Sequence, residues 1–469
     1  MPTASDGREA ALVDFLAHLR FDDLPKETVD GALAVILDHL LCADLGMDQP
    51  WVRLLEAQLR DELGEWSPAP ATPTAAIYGT ADRVPARVAA LVNGTASHGL
   101  ELDDIYHPGL IHPGSCVVPA AIATAAGPAS AERGGRDLVT AVVAGYEAIR
   151  HICAAVGTRH SYLGFHSTGT IGPFGATVAA GRMVGLDAAG LANSIGIAAS
   201  FGAGIKAFQN GPGMIKRVHA GRAAESGLLA AGLAGRGFEG PDGALAGRFG
   251  FVEVWGEESE RDADRLAAGL GEDFIVEKDV YIKPFSTCGA IHGVLLAAAD
   301  VRRELGDRVG ELERVVVGSA RRVAEQNAID TPTDPMTAQY SVQYGVALAL
   351  LGEIDDLRRF QDPGTYGDPR VRALIDRTKV EVDRRAEEAY VRTTDGRVTC
   401  VLRGGERFEV YRSAGPEVSS GFGTVEAKCH RLWERRRTPE QRQNVVHAVL
   451  GLADDGPVAD IVTALAPTA

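Results

Sequence analysis

The stretch His98 to Ser115, HGLELDDIYHPGLIHPGS, places Glu101, Asp103, Asp104, His98, His107 and His112 in one short segment. Three carboxylates and three imidazoles this close together are costly to bury, and folding does not require them. Such a set can take and give protons near neutral pH, which is the work of a general base and a general acid. The blander alternative is a solvated acidic turn with incidental histidines.

Three further segments carry polar groups in apolar settings. In GFHSTGTIGPFGA (164–176), His166 precedes a helix start rich in small residues. Amide donors at such a start suit an anion, and the imidazole adds a proton donor; a capped helix with a satisfied histidine is the competing reading. The spacing of Gly169, Gly172 and Gly175 is no dinucleotide fingerprint, because no strand precedes it. In GMIKRVHAGRAAESG (213–227), Lys216, Arg217, His219 and Arg222 lead into an Ala-rich helix and suit a carboxylate clamp. Arg217 or Arg222 is expected to belong instead to a solvated cationic face. In YIKPFSTCGAIHG (281–293), Lys283 precedes a proline turn and His292 follows Cys288 by four residues, at an expected domain junction. Clefts at such junctions favour ligands, although an ordinary linker would read the same way. Cys288 fits a small buried thiol better than a nucleophile paired with His292. Asp103, Asp104, His107 and His112 lack a tidy ligand spacing, so no metal is expected; their convergence would instead suit a metal hydrolase. Nucleophile-elbow, phosphate-loop and zinc-protease motifs do not occur.

The elements that must position these groups are mostly helical. Ala10 to Leu19 and Thr28 to Leu45 show apolar residues at three- and four-residue spacing, the second opening after Asp23 and Pro25 and closing at Gly46. From Pro119 to Gly237 the chain is rich in Ala and Gly, which predicts closely packed helices, with no fixed period. The pattern changes after Ile282. RVVVGS (314–319) and KVEVD (379–383) read as strands, with a short helix over 370–378 before the second. Val391 to Thr394, VTCVL (398–402) and RFEVYR (407–412) follow, separated by turn dipeptides at Asp395-Gly396 and Gly404-Gly405, which predict hairpins. Thr438-Pro439-Glu440-Gln441 starts a last helical segment with a potential capping box. The expected fold is mainly α with an α+β lid: a helical domain over 1–281, completed by 416–469, and a lid over 282–415.

Composition narrows the function classes. The 469 residues carry a net charge of −16, so long-range repulsion opposes nucleic acid and anionic membranes as partners. A local pocket can still invert the field for a small anionic substrate. Leu138 to Gly157, interrupted by Glu147 and Arg150, is a poor membrane span. Six scattered cysteines without a CxxC pair fit a reducing compartment. The opening MPTASDGREAALVDFL has no basic region followed by an apolar run, so no signal peptide is expected and the cytoplasm is the expected location.

NGTASHGLELDD with HPGS, GFHSTGTIGPFGA, KRVHAGRAAESG with GFEGPDG, and KPFSTCGAIH together resemble, in order and wording, the MmgE/PrpD family. That family includes 2-methylcitrate dehydratase, cis-aconitate decarboxylase and iminodisuccinate epimerase. The resemblance spans nearly the whole chain. It implies a large helical domain with an α+β lid, a homodimer, a site between the domains, and catalysis without metal or organic cofactor. Carried over by motif position, the family's site falls on Glu101, Ile105, His112, His166, Lys216 and Lys283. The dehydratase and the decarboxylase have Asp at the Glu101 position and Thr at the Ile105 position, and vertebrate-type decarboxylases have His at the Cys288 position. The expectation is therefore a dehydratase-type lyase on a small hydroxy-polycarboxylate. In it His112 and His166 share proton transfer, Glu101 and Asp104 orient imidazoles or hold hydroxyls, and Lys216, Lys283, His219, Ile105 and Cys288 line the substrate. An epimerase is the second reading, a decarboxylase the third, and a non-catalytic metabolite-binding relative the fourth.

Overall fold

The structure, a computed structural model, describes residues 7–66, 74–210, 213–390, 392–416 and 421–467. It divides into two compact units. One comprises 1–209, 214–282 and 419–469, and the other 210–213 and 283–418.

The larger unit is a helical assembly: α1 (Gly7–His18), α2 (Lys26–Gly46), α3 (Ala86–His98), α4 (Gly114–Ala125), α5 (Gly135–Val156), α6 (Gly172–Met183) and α7 (Ile215–Ala234). Several are buried on nearly every face, as α2 shows from Thr28 to Gly46. Small residues make this possible. Gly221 of α7 lies so close to α3 that a Cβ there would come within 2.1 Å of the Leu91 carbonyl oxygen, and one on Gly94 of α3 would meet the Gly221 Cα at 2.9 Å. The α3–α7 contact is therefore made backbone to backbone, which only glycine permits.

By length and composition α5 could cross a membrane, yet 89% of its apolar window is buried inside the unit. The charges that interrupt it have partners within the unit: Glu147 accepts the Ile275 amide at 2.8 Å, and Arg150 pairs with Asp273. Two short strands, β1 (Ile105–Tyr106) and β2 (Val280–Tyr281), pair antiparallel with Ile105 opposite Tyr281.

The smaller unit packs α8 (His292–Leu305) and α9 (Val342–Leu351) with a four-stranded sheet. Its strands are β3 (Leu312–Ser319), β4 (Thr378–Val382), β5 (Gly396–Leu402) and β6 (Arg407–Arg412), in the order β4-β3-β5-β6. β3 and β4 run parallel, and the other pairings are antiparallel. The Gly404-Gly405 turn joins β5 to β6 as expected, with Gly405 at φ 83°.

Asp395-Gly396 is not a hairpin turn. Gly396 instead opens β5, and residues 392–394 are irregular; Val391 lies outside the described residues. Thr394 exchanges backbone hydrogen bonds with Ala414, and the Asp395 carboxylate accepts from Tyr411 and Ser413 at 2.7 Å each. Gly396 is needed because a Cβ would strike Val294 of α8 at 2.4 Å. The chain then returns to the larger unit through α10 (Phe422–Leu432) and α11 (Pro439–Gly451), and Thr438 and Gln441 form the anticipated capping box.

Candidate active site

The His98–Ser115 stretch is buried, which excludes a solvated acidic turn: Glu101, Asp103, Asp104, His98, His107 and His112 are each at most 7% exposed. His98 ends α3, the chain turns sharply at Glu101 (φ 53°), passes through β1, and reaches α4 just after His112-Pro113. A left-handed backbone at a residue with a Cβ costs about 1–2 kcal/mol. The Glu101 carboxylate offsets that cost by accepting hydrogen bonds from Lys216 and from Arg217, the latter at 3.0 Å. From behind, Lys428 of α10 pairs with Asp38 and donates to the Leu102 carbonyl at 2.8 Å.

Asp103 and Asp104 point to different partners. Oδ2 of Asp103 lies 2.8 Å from His98 Nδ1, accepts from the Ser115 hydroxyl at 2.8 Å, and lies 3.3 Å from His112 Nδ1. Asp104 accepts from the Tyr146 hydroxyl at 2.8 Å and the Gly114 amide at 3.0 Å. Burial, together with the charges of Asp103 and Asp38, raises the Asp104 carboxyl to about 7. The pair therefore consists of one carboxylate committed to imidazoles and one acid poised to hold its proton.

The imidazoles are brought together. The His98 ring lies 4.6 Å from that of His112, edge-on, and 5.9 Å from that of His166, stacked. His166 Nδ1 lies 2.8 Å from His219 Nδ1, so one of the two donates to the other. Burial first, then the neighbouring imidazoles, holds His166 well below the usual histidine range, and His98 is depressed chiefly by burial. Burial and Lys216 push His219 to about 4. Near neutral pH these three rings are uncharged.

Two expectations need correction. Arg217 is not a solvated cation: it is 2% exposed, bound to Glu101, with its guanidinium 5.3 Å from the Trp51 ring centre. Apolar neighbours on α7 gave no hint of this, since the carboxylate that buries it lies far away in sequence. Arg222 is exposed and pairs with Glu225. The helix after His166 is a single turn, Ser167–Thr170, buried throughout, and one turn is too short to gather a dipole for an anion.

Ile105 is buried in β1, and His107 packs against Tyr281. A metal set of Asp103, Asp104, His107 and His112 does not assemble. His98, Asp103 and His112 do bring ligand atoms within 4.8 Å of one another, around an oxygen already occupied by the Ser115 hydroxyl. Lys283 and Cys288 belong to the smaller unit. Lys283 is buried there, Cys288 is half-buried with its amide donating to the Gln339 carbonyl, and His292 Nε2 lies 2.9 Å from the Thr287 hydroxyl. Sequence reasoning passed over His98 and Asp103 as individual site residues, although both lie in the stretch it singled out.

The buried helical assembly thus brings together uncharged histidines, a carboxyl raised to about 7, and cations paired with a carboxylate, groups equipped to move protons. The chain matches the MmgE/PrpD N-terminal domain over residues 10–263 and the MmgE/PrpD C-terminal domain over 285–452, and it belongs to the MmgE/PrpD family. It is similar to the cis-aconitate decarboxylase of Aspergillus terreus, 28% identical over 382 residues covering 76% of this chain and 75% of that one. It is also similar to the cis-aconitate decarboxylase-like protein oryM of Aspergillus oryzae (26% identical; 79% and 78% covered) and to the cis-aconitate decarboxylase of Homo sapiens (29% identical; 65% and 63% covered).

Proposed function

We propose that this protein is a dehydratase-type lyase that removes an α-proton from a small hydroxy-polycarboxylic acid and eliminates a group from the neighbouring carbon, without metal or organic cofactor. The observation that carries this reading is the cluster of buried imidazoles, His112, His98 and His166, in the unit that also buries Lys216 and Arg217. Removing a proton next to a carboxylate places a second negative charge beside the first. That becomes feasible when cations face the developing charge in a water-poor setting and a neutral imidazole accepts the proton. Lys216 and Arg217 are both bound to Glu101, which holds the two cations in the same buried unit as the imidazoles. His112 and His166 share the proton transfer, and Asp104, raised to about 7, is the group placed to hold a proton and give it.

Two alternatives develop the same kind of carbanion charge, an epimerase by removing the proton and a decarboxylase by losing carbon dioxide and then taking a proton up. An epimerase would return the proton to the other face, and the apolar Ile105, which offers no hydroxyl to a leaving group, favours it. Decarboxylation is favoured by the names of the similar proteins. Proton NMR in deuterated water with a panel of di- and tricarboxylic acids, hydroxy acids and cis-aconitate included, tests all three. Deuterium at one α-carbon with an alkene product is the expected outcome. Exchange alone would indicate an epimerase, and loss of carbon dioxide a decarboxylase. No reaction across the panel from folded protein would overturn the lyase reading.

A further inference from the structure

We propose that Asp103 is the positioning residue of this site: one carboxylate oxygen, shared by His98 and His112, that fixes both tautomers and makes Nε2 of His112 the basic atom. The inference rests on the proton-transfer reading above and gives it an order of events.

The acceptors around each ring fix its tautomer. His112 Nδ1 lies 2.9 Å from the Asp104 carbonyl oxygen and 3.3 Å from Asp103 Oδ2. Neither atom can donate, so Nδ1 must carry the hydrogen, and the lone pair of the neutral ring is on Nε2. His98 Nδ1 faces the same Asp103 oxygen at 2.8 Å and carries its hydrogen for the same reason. Its Nε2 is then also a lone pair, wholly buried and without a hydrogen-bond partner among the described residues.

The charges support this division. Asp104, adjacent in sequence, turns its carboxyl to Tyr146 and Gly114 and is poised to hold a proton. Asp103 is therefore the anion placed to balance a positive imidazole when His112 takes the substrate proton. The Ser115 hydroxyl donates to the same oxygen and lies against the Ser97 hydroxyl at 2.5 Å, which keeps the carboxylate from rotating. His166, joined to His219 rather than to a carboxylate, has no anion to stabilise its charged form. That asymmetry makes His112, rather than His166, the ring that takes the substrate proton.

The test has a substrate-free arm and a kinetic arm. Nitrogen-15 NMR of histidine-labelled protein, assigned with His98→Gln and His112→Gln variants, should show both rings protonated on Nδ1 and bare on Nε2. Either ring found with its hydrogen on Nε2 overturns the proposal. With whichever panel acid turns over, Asp103→Asn should lower kcat by roughly 10^3-fold or more with KM little changed, as when a carboxylate behind a catalytic imidazole is replaced by its amide. Ser115→Ala, which removes a donor to the same oxygen but no charge, should cost far less. Equal losses in the two variants, or a rise in KM alone, would reduce Asp103 to a packing role and overturn the proposal. If the tautomers are found but no panel acid reacts, the lyase reading fails while the assignment of Asp103 stands.

Discussion

Glu101 holds two buried cations with one carboxylate on a left-handed backbone, so its charge is structural as well as local. Glu101→Gln keeps the shape and removes the negative charge that Lys216 and Arg217 share. Breaking such a group by removing one partner costs about 3–5 kcal/mol, and both thermal stability and turnover should fall. A variant as stable as the parent would mean that the cations find another anion. His166→Ala and Lys216→Ala should each abolish turnover with the fold retained, because they remove a proton-transfer group and a carboxylate anchor; full activity in either variant, measured by the NMR assay, would refute its role. Much of this site was legible in the sequence, since a concentration of carboxylates and imidazoles has few uses other than chemistry. The partners were not legible. Nothing in the order of residues shows that Arg217 would be buried against Glu101, or that Asp103 and Asp104, side by side, would serve different neighbours.

At the scale of elements, the site depends on how closely α3 and α7 approach, because His98 ends one helix and Lys216, Arg217 and His219 begin the other. Gly221→Ala would drive a methyl group into the Leu91 carbonyl and the Thr95 hydroxyl, at 2.1 and 2.4 Å. Overpacking of this kind costs about 1–3 kcal/mol. Gly232→Ala, on the same helix, meets only the Arg236 guanidinium at 3.8 Å and should be neutral or stabilising by up to about 1 kcal/mol. Urea midpoints for the two variants check the argument, and equal midpoints would mean that the glycine contact does not set the helix spacing. The abundance of small residues did announce close helix packing, and β3 to β6 fell near their predicted ranges, whereas α8 and α9 were not anticipated. β1 and β2 escaped notice because two-residue strands have no periodicity. Gly396 was misread as a turn because a glycine required by a passing helix looks, in sequence, like one required by a bend.

Across the larger unit, the balance of buried titratable groups sets how stability responds to pH. Burial holds His39 near 3 and both His98 and His166 well below their ordinary value, whereas Asp104 and Glu147 are raised to about 7, again chiefly by burial. A histidine depressed in the folded state leaves the unfolded chain binding more protons, so its contribution is lost as pH falls below about 6.5. A raised carboxyl acts in the opposite sense, its folded form already protonated as pH falls through 7. Three imidazoles against two carboxyls leave one net proton, and His160 and His219, both pushed to about 4, add in the same direction. Stability of this unit should therefore fall between pH 6.5 and 4.5. His39 offers one such group for substitution, because its ring nitrogens have no hydrogen-bond partner among the described residues and it lies edge-on to Tyr78, burial outweighing the opposing charge of Asp103. His39→Leu should reduce the pH slope by one proton, about 1.4 kcal/mol per pH unit. All four tryptophans lie in the larger unit, so their fluorescence in urea titrations at several pH values follows that unit alone. A slope unchanged by the substitution would mean that His39 titrates in the folded protein as it does in the unfolded chain.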